Sequence, residues 1–165
     1  MNIKHFKYGD VDFLLEDILG AIKRDFENFD ASDVKRLSLN GGGFLLEENG
    51  VCAVSLYSTS IDQIFVSYTS EFLEGLKNES CGYMGITWVD VGYRGMGLQK
   101  DLIGLREEVF RGLGIPQVIS LAGKGNLASF KSFLNSGYEV KDELEDGDGL
   151  YMRSVFHKKL LKNQL

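Results

Sequence analysis

Residues 89–103 read VDVGYRGMGLQKDLI, and they constrain the chain more than any other segment. A β-branched strand end at 89–91 runs into Arg94-Gly95-Met96-Gly97, and a helical pattern begins at once. Its apolar positions Leu98, Leu102, Leu105, Val109 and Leu113 recur at steps of three and four, and Gly114 and Pro116 close it. Two glycines permit a sharp turn and let another molecule come close to the backbone. The first N–H groups of a helix lack partners inside it and lie at the positive end of its dipole. A junction of this kind suits a phosphate or diphosphate.

The remaining pattern supplies strands and helices on both sides of that unit. Val11, Leu14, Leu15, Ile18, Leu19, Ile22 and Phe26 predict a helix over 10–26 with Asp10 as its cap, and a short second helix is expected at 31–37 behind Asp30 or Ser32. Strand 43–47, an Asn49-Gly50 turn and strand 51–58 read as a hairpin, with glycines 41–43 as a loose lead-in. The connection 59–80 is long enough to need its own structure or a binding role, and a helix is expected near 70–77. Strand 82–91 and helix 96–113 follow, then strand 117–122 and helix 127–136, which Gly137 ends. Strands near 138–143 and 149–157, joined by the acidic turn 145–149, complete the order. Alternation of this kind predicts one mixed α/β domain over 1–165.

Three anion-binding loops could produce the glycine turn. A Walker loop needs Gly-Lys followed by Ser or Thr, but Gly97 precedes Leu98, and Gly123-Lys124 precedes Gly125. A dinucleotide fingerprint needs a third small residue where Lys100 stands. A plain glycine turn before a helix remains open.

At these residues the sequence resembles the GNAT superfamily of acyl-CoA-dependent N-acetyltransferases. The family signature is a strand ending Val-x-x-x-Tyr, then Arg/Gln-x-x-Gly-x-Gly/Ala at the start of a helix. Val89 to Tyr93 and Arg94 to Leu98 follow it, with Gln99 replacing the last small residue. A second block also matches: Asn126, the small residue Ser129, then Gly137-Tyr138. The likeness covers 80–157 by motif and 1–60 by element order. It implies a central mixed, mostly antiparallel sheet flanked by helices, with a splayed strand pair.

It also implies acetyl-CoA as cosubstrate and transfer of its acetyl group to a primary amine by direct attack in a ternary complex. The pantetheine arm would pair with backbone at Val89 and Val91, as an added strand does. Asp90 lies between them and would point away from the groove. Backbone N–H groups of Arg94, Gly95, Met96, Gly97, Leu98 and Gln99 would take the diphosphate, and Lys100 could reach a phosphate. Asn126, Ser129 and Phe133 would line the thiol end. Asn126 serves equally as a helix cap. Leu127, Phe130 and Leu134 are read as core.

Attack on a thioester needs a neutral amine and a proton acceptor, and the oxyanion needs a donor, for which a backbone N–H near residue 91 is the family's source. Relatives often protonate the leaving thiolate with a Tyr seven residues after the Asn. That position here is Phe133, which has no proton to give. Glu79, Tyr83 and Tyr138 are the remaining candidates for proton transfer. His5 and His157 lie in terminal segments, and Cys81 reads as a small buried residue rather than a nucleophile. The Phe133 departure motivates a second reading, a catalytically degenerate module that binds or senses CoA. A third keeps only a non-CoA interaction domain.

Composition trims the list of partners. Eighteen basic against 24 acidic residues give a formal charge of -6. That balance argues against nucleic acid, whose binding rests on clustered Lys and Arg. No apolar run approaches the length of a membrane span, and residues 1–13 lack the apolar core of a signal peptide. Cys52 and Cys81 make no disulfide framework, and no His/Cys group has metal spacing. These features predict a cytoplasmic protein without a metal, acting on a small-molecule or peptide amine. Relatives commonly form homodimers, and no segment here proves one.

Overall fold

The structure, a computed structural model, describes residues 1–145 and 151–160. Among these, seven strands join in the hydrogen-bonded order β1-β2-β3-β4-β5-β7-β6; β1–β2, β2–β3, β5–β7 and β6–β7 pair antiparallel, and β4 pairs with β5 in parallel. The strands are β1 (Asn2–Lys7), β2 (Gly42–Glu47), β3 (Val51–Ser58), β4 (Gly82–Val89), β5 (Gln117–Gly123), β6 (Glu139–Glu145) and β7 (Met152–Lys159). Five α-helices accompany them: α1 (Val11–Ile22), α2 (Ala31–Leu37), α3 (Glu71–Leu76), α4 (Leu98–Gly112) and α5 (Leu127–Asn135). The expected mixed α/β class holds. No helix among the described residues is long and apolar enough to cross a membrane.

Close contacts divide the chain into two units, Met1–Ser58 with Gly85–Leu102 and Thr59–Met84 with Ile103–Leu165. In the first, β1, β2 and β3 form an antiparallel meander with α1 and α2 beside it. Asn49 and Gly50 both have positive φ (57° and 123°), the conformation a tight hairpin turn needs. Strand β1 was not legible in sequence, because Phe6 is its one buried residue. Gly42 and Gly43 leave room for it, while Gly41 faces Tyr57 and Ser58 of β3. A Cβ on Gly43 would collide with the Phe6 ring and the Ser55 carbonyl, and one on Gly42 with the Phe6 carbonyl. The loose lead-in is therefore a close-packed crossing of strands, with Gly42 and Gly43 inside β2.

Helix α1 stops at Ile22, four residues before Phe26, which is exposed. Asp10 does not cap it through its side chain; the Asp10 carboxylate accepts the Lys7 N–H instead, at 3.1 Å. Helix α2 has the expected cap: Asp30 Oδ1 accepts the Ser32 and Asp33 N–H groups, and Asp33 accepts the Asp30 N–H in return.

In the second unit, β4 pairs in parallel with β5 over Gly82–Met84 and Val118–Ser120, and β5, β7 and β6 continue antiparallel. The parallel ladder spans only those residues of β4. The connection 59–80 contains a short turn of 3-10 helix at Asp62–Ile64 and α3, whose cap Ser70 accepts the Leu73 N–H. Strand β6 runs to Glu145 and β7 begins at Met152; residues 146–149 of the expected acidic turn, and residue 150, lie outside the described residues. The register of α5 differs from expectation. Leu127 and Leu134 are exposed (67% and 46%), while Phe133 is the buried residue of the helix. Phe130 is half-buried, its ring edge-on to Phe156.

Candidate diphosphate-binding loop

Strand β4 ends at Val89, not at 91. The Asp90 carboxylate accepts the Gly92 N–H at 3.0 Å, and the Tyr93 N–H returns to the Asp90 carbonyl at 2.9 Å. These bonds fold Val91–Tyr93 into a 3-10 turn. Val91 is 75% exposed and lies in this turn rather than in the strand, which corrects the expected strand 82–91. The Val89 carbonyl is also engaged, accepting from Arg94 Nε at 3.0 Å. The Gly92 N–H, with the Arg24 guanidinium beside it, holds the Asp90 carboxyl below the usual carboxylate range.

Beyond the turn, Gly95 and Gly97 have φ of +81° and +82°. Alternation of these left-handed glycines with Met96 keeps the helix from starting at 96, and α4 begins at Leu98. Its first helical acceptor is the Gly97 carbonyl, which takes the Asp101 N–H at 3.1 Å. The N–H groups of Gly95, Met96, Gly97, Leu98 and Lys100 have no partner among the described residues. Nothing lies within 4 Å of where a Cβ would stand on Gly95 or Gly97. An open backbone with unpaired donors at a helix N-terminus can accept a phosphate or diphosphate. Lys100 is exposed in the first turn of α4, and Leu98 is buried and anchors it. Arg94 contributes no free cation: its NH2 donates to Asp25 Oδ2 at 2.5 Å.

The other expected site residues lie in the second unit. Asn126 caps α5, its Oδ1 accepting the Ser129 N–H at 3.1 Å, and Ser129 is half-buried. Phe133 is 4% exposed and packs on Phe156 and Tyr138. Glu79 is exposed and its carboxylate accepts from the Gln117 amide. Gln117 Oε1 lies 2.9 Å from His157 Nε2, so that nitrogen carries the proton. Tyr83 is buried. Tyr138 is buried with its hydroxyl donating to the Met84 sulfur at 3.4 Å; burial first, then the nearby Glu107 charge, pushes its phenol well above the usual range. Cys81 is buried and its thiol is pushed up to about 12. Among the described residues no group of three His, Cys, Asp or Glu could hold a metal ion.

Sequence reasoning found the loop but missed what braces it. Arg24 and Asp25, the residues just past α1, reach Asp90 and Arg94. Nothing in the local pattern at 10–26 marked them, since the apolar spacing ran on to Phe26.

No protein-family model matches the sequence, and no curated protein matches it. The fold matches many solved structures. The ribosomal-protein-S18-alanine N-acetyltransferase of Escherichia coli superposes with a TM-score of 0.69 at 13% identity, covering 99% of this chain and 97% of that one. A GNAT-family acetyltransferase of Listeria monocytogenes matches with a TM-score of 0.61 at 12% identity, covering 96% and 94%. A Salmonella typhimurium protein described as an acetyltransferase and solved with its cofactor acetyl-CoA matches at 0.66 and 14% identity, covering 100% and 96%. By these likenesses the chain has the fold of the GNAT acetyltransferases.

Proposed function

We propose that this protein is an N-acetyltransferase that uses acetyl-CoA to acetylate a primary amine. One observation carries the reading: Gly95 and Gly97 in the left-handed region, with unpaired N–H groups from Gly95 to Leu98 and at Lys100, in a loop open to a ligand. Acetyl-CoA, when bound, supplies an acyl group activated as a thioester. The chain's part at 95–100 is to bind: backbone N–H groups and the α4 dipole neutralise the diphosphate, and Lys100 adds a mobile charge. The glycines keep side chains out of the way.

Three of the residues considered for proton transfer are poorly suited to it. Phe133 has no proton, the Tyr138 phenol is too weak an acid near neutral pH, and Glu79 is committed to Gln117. In this reading the amine is taken in its neutral form and its proton passes to water. Such a route is workable because a thiolate of ordinary pKa, about 8.5, leaves without strong acid assistance. The same observations favour a second reading, a module that binds CoA without turning it over.

Calorimetry with coenzyme A, followed by a broad amine panel with detection of released thiol, tests both. Binding with turnover supports the enzyme; binding without turnover on any amine supports the module. No heat and no thermal shift with coenzyme A removes both.

A further inference from the structure

Arg24 and Asp25 are neighbours in sequence, in the turn that ends α1 early, and each holds one end of the 3-10 turn at Val91–Tyr93. Arg24 NH1 donates to Asp90 Oδ2 at 2.8 Å, on the N-terminal side of that turn. Asp25 Oδ2 accepts from Arg94 NH2 at 2.5 Å, on its C-terminal side. The same carboxylate oxygen takes the indole N–H of Trp88 at 2.7 Å, and the Arg24 guanidinium lies 5.6 Å over the Trp88 ring. The charges alternate in sign, so the four groups neutralise one another in pairs. Arg94 closes the arrangement by donating to the Val89 carbonyl.

A loop with two left-handed glycines has little preference of its own for one shape, since glycine visits both signs of φ at similar cost. Something outside it must select the conformation in which the N–H groups converge. Single exposed ion pairs contribute little. Here a carboxylate bonded to both an indole and a guanidinium, with a second pair beside it, adds charge-assisted geometry to charge.

We infer that Asp25, with Arg24, is a positioning residue of the loop: it fixes the backbone of 90–97 in the form that receives a diphosphate, and it keeps the Arg94 side chain away from that task. This inference rests on the acetyl-CoA reading above, and the experiment separates the two. Amide hydrogen exchange on the full chain without ligand is compared for the wild type, Asp25→Ala and Asp25→Asn, alongside calorimetry with coenzyme A. The asparagine retains an acceptor for the indole but loses the charge that holds Arg94. Trp88 is the one tryptophan of the chain, so its emission reports directly whether that bond persists.

The expected result has three parts. Exchange at Gly92, Tyr93 and Arg94, whose N–H groups are hydrogen-bonded within the turn, accelerates in both variants. Coenzyme A binds about tenfold more weakly, equivalent to about 1.4 kcal/mol. Trp88 emission shifts in Asp25→Ala but hardly in Asp25→Asn. In an active enzyme KM for acetyl-CoA rises while kcat holds, a split that general loss of structure would not give. Unchanged exchange overturns the inference whether or not coenzyme A binds. Faster exchange with unchanged affinity overturns it too, and tighter binding would mean that Arg94, once released, serves the phosphates itself. If the wild type binds no coenzyme A, the proposed function falls, and exchange alone then decides whether the brace exists.

Discussion

Phe133 stacks on Phe156 with ring centroids 5.0 Å apart and planes 24° from parallel. The position where the family often carries a tyrosine is thus filled by a core residue. Truncation to alanine is expected to cost about 3–5 kcal/mol, as for other buried aromatics. Phe133→Tyr is expected to cost about 1–3 kcal/mol by burying a hydroxyl that must find a partner. Urea denaturation of both variants measures this. A tyrosine variant as stable as the wild type, with faster acetyl transfer, would show that the ring edge faces the chemistry instead.

Gly97 tests the loop. Its φ of +82° is costly for any residue with a Cβ, yet open space surrounds it. Gly97→Ala should lose about 1–2 kcal/mol of stability through backbone strain alone. Gly97→Glu should unfold at nearly the same temperature as the alanine variant but show no calorimetric binding of coenzyme A. Normal binding by the glutamate variant places the diphosphate elsewhere.

Gly43 tests the strand crossing. A Cβ there meets the Phe6 ring and the Ser55 carbonyl, and backbone cannot yield as a flexible side chain can. Gly43→Ala is expected to destabilise by about 1–3 kcal/mol, the range for overpacked sites, and to raise exchange along β1. Wild-type stability in that variant would mean that β1 packs less closely than described.

Glu107 gathers cations in the second unit. It accepts from Lys158 at 2.9 and 3.0 Å and from Arg111 at 2.8 Å, and its side chain is 6% exposed. Removing it also takes the neighbouring carboxylate from Arg106, which is fully buried. Glu107→Ala should therefore cost about 3–5 kcal/mol in denaturant titration. A cost under 1 kcal/mol would show that water reaches the cluster.

His157 links stability to pH. Burial lowers its pKa, with Lys141 and Lys159 adding and Glu139 and Glu79 opposing. The Gln117 amide and the edge-on Phe72 complete its surroundings. A histidine whose folded pKa lies below its unfolded value binds fewer protons when folded, so stability rises with pH through that interval and falls as pH drops below about 6.5. His5 is shifted the same way and contributes with the same sign. Denaturation at several pH values between about 5.5 and 7.5 should show this positive slope. His157→Gln, which can still donate to Gln117, should flatten it. An equal slope in that variant assigns the effect to His5.

The sequence by itself determined the alternation of elements, the turns at Asn49-Gly50 and Gly137, the caps at Asp30 and Asn126, and the glycine loop before α4. These are legible because each depends on residues within a few positions of one another: a cap oxygen reaches the next turn, and a left-handed backbone favours glycine. The three-dimensional arrangement decided the rest. Strand β1 packs where Gly42 and Gly43, well over thirty residues away, make room for it. The true face of α5 follows from Phe156 and Tyr138 packing on Phe133, not from helical spacing, which allows more than one apolar stripe. Helix α1 ends before its pattern does, where Arg24 and Asp25 are tied to Asp90, Trp88 and Arg94. Ion pairs and hydrogen bonds between residues sixty or more positions apart leave no periodicity to read, because only the folded chain brings their charges within reach.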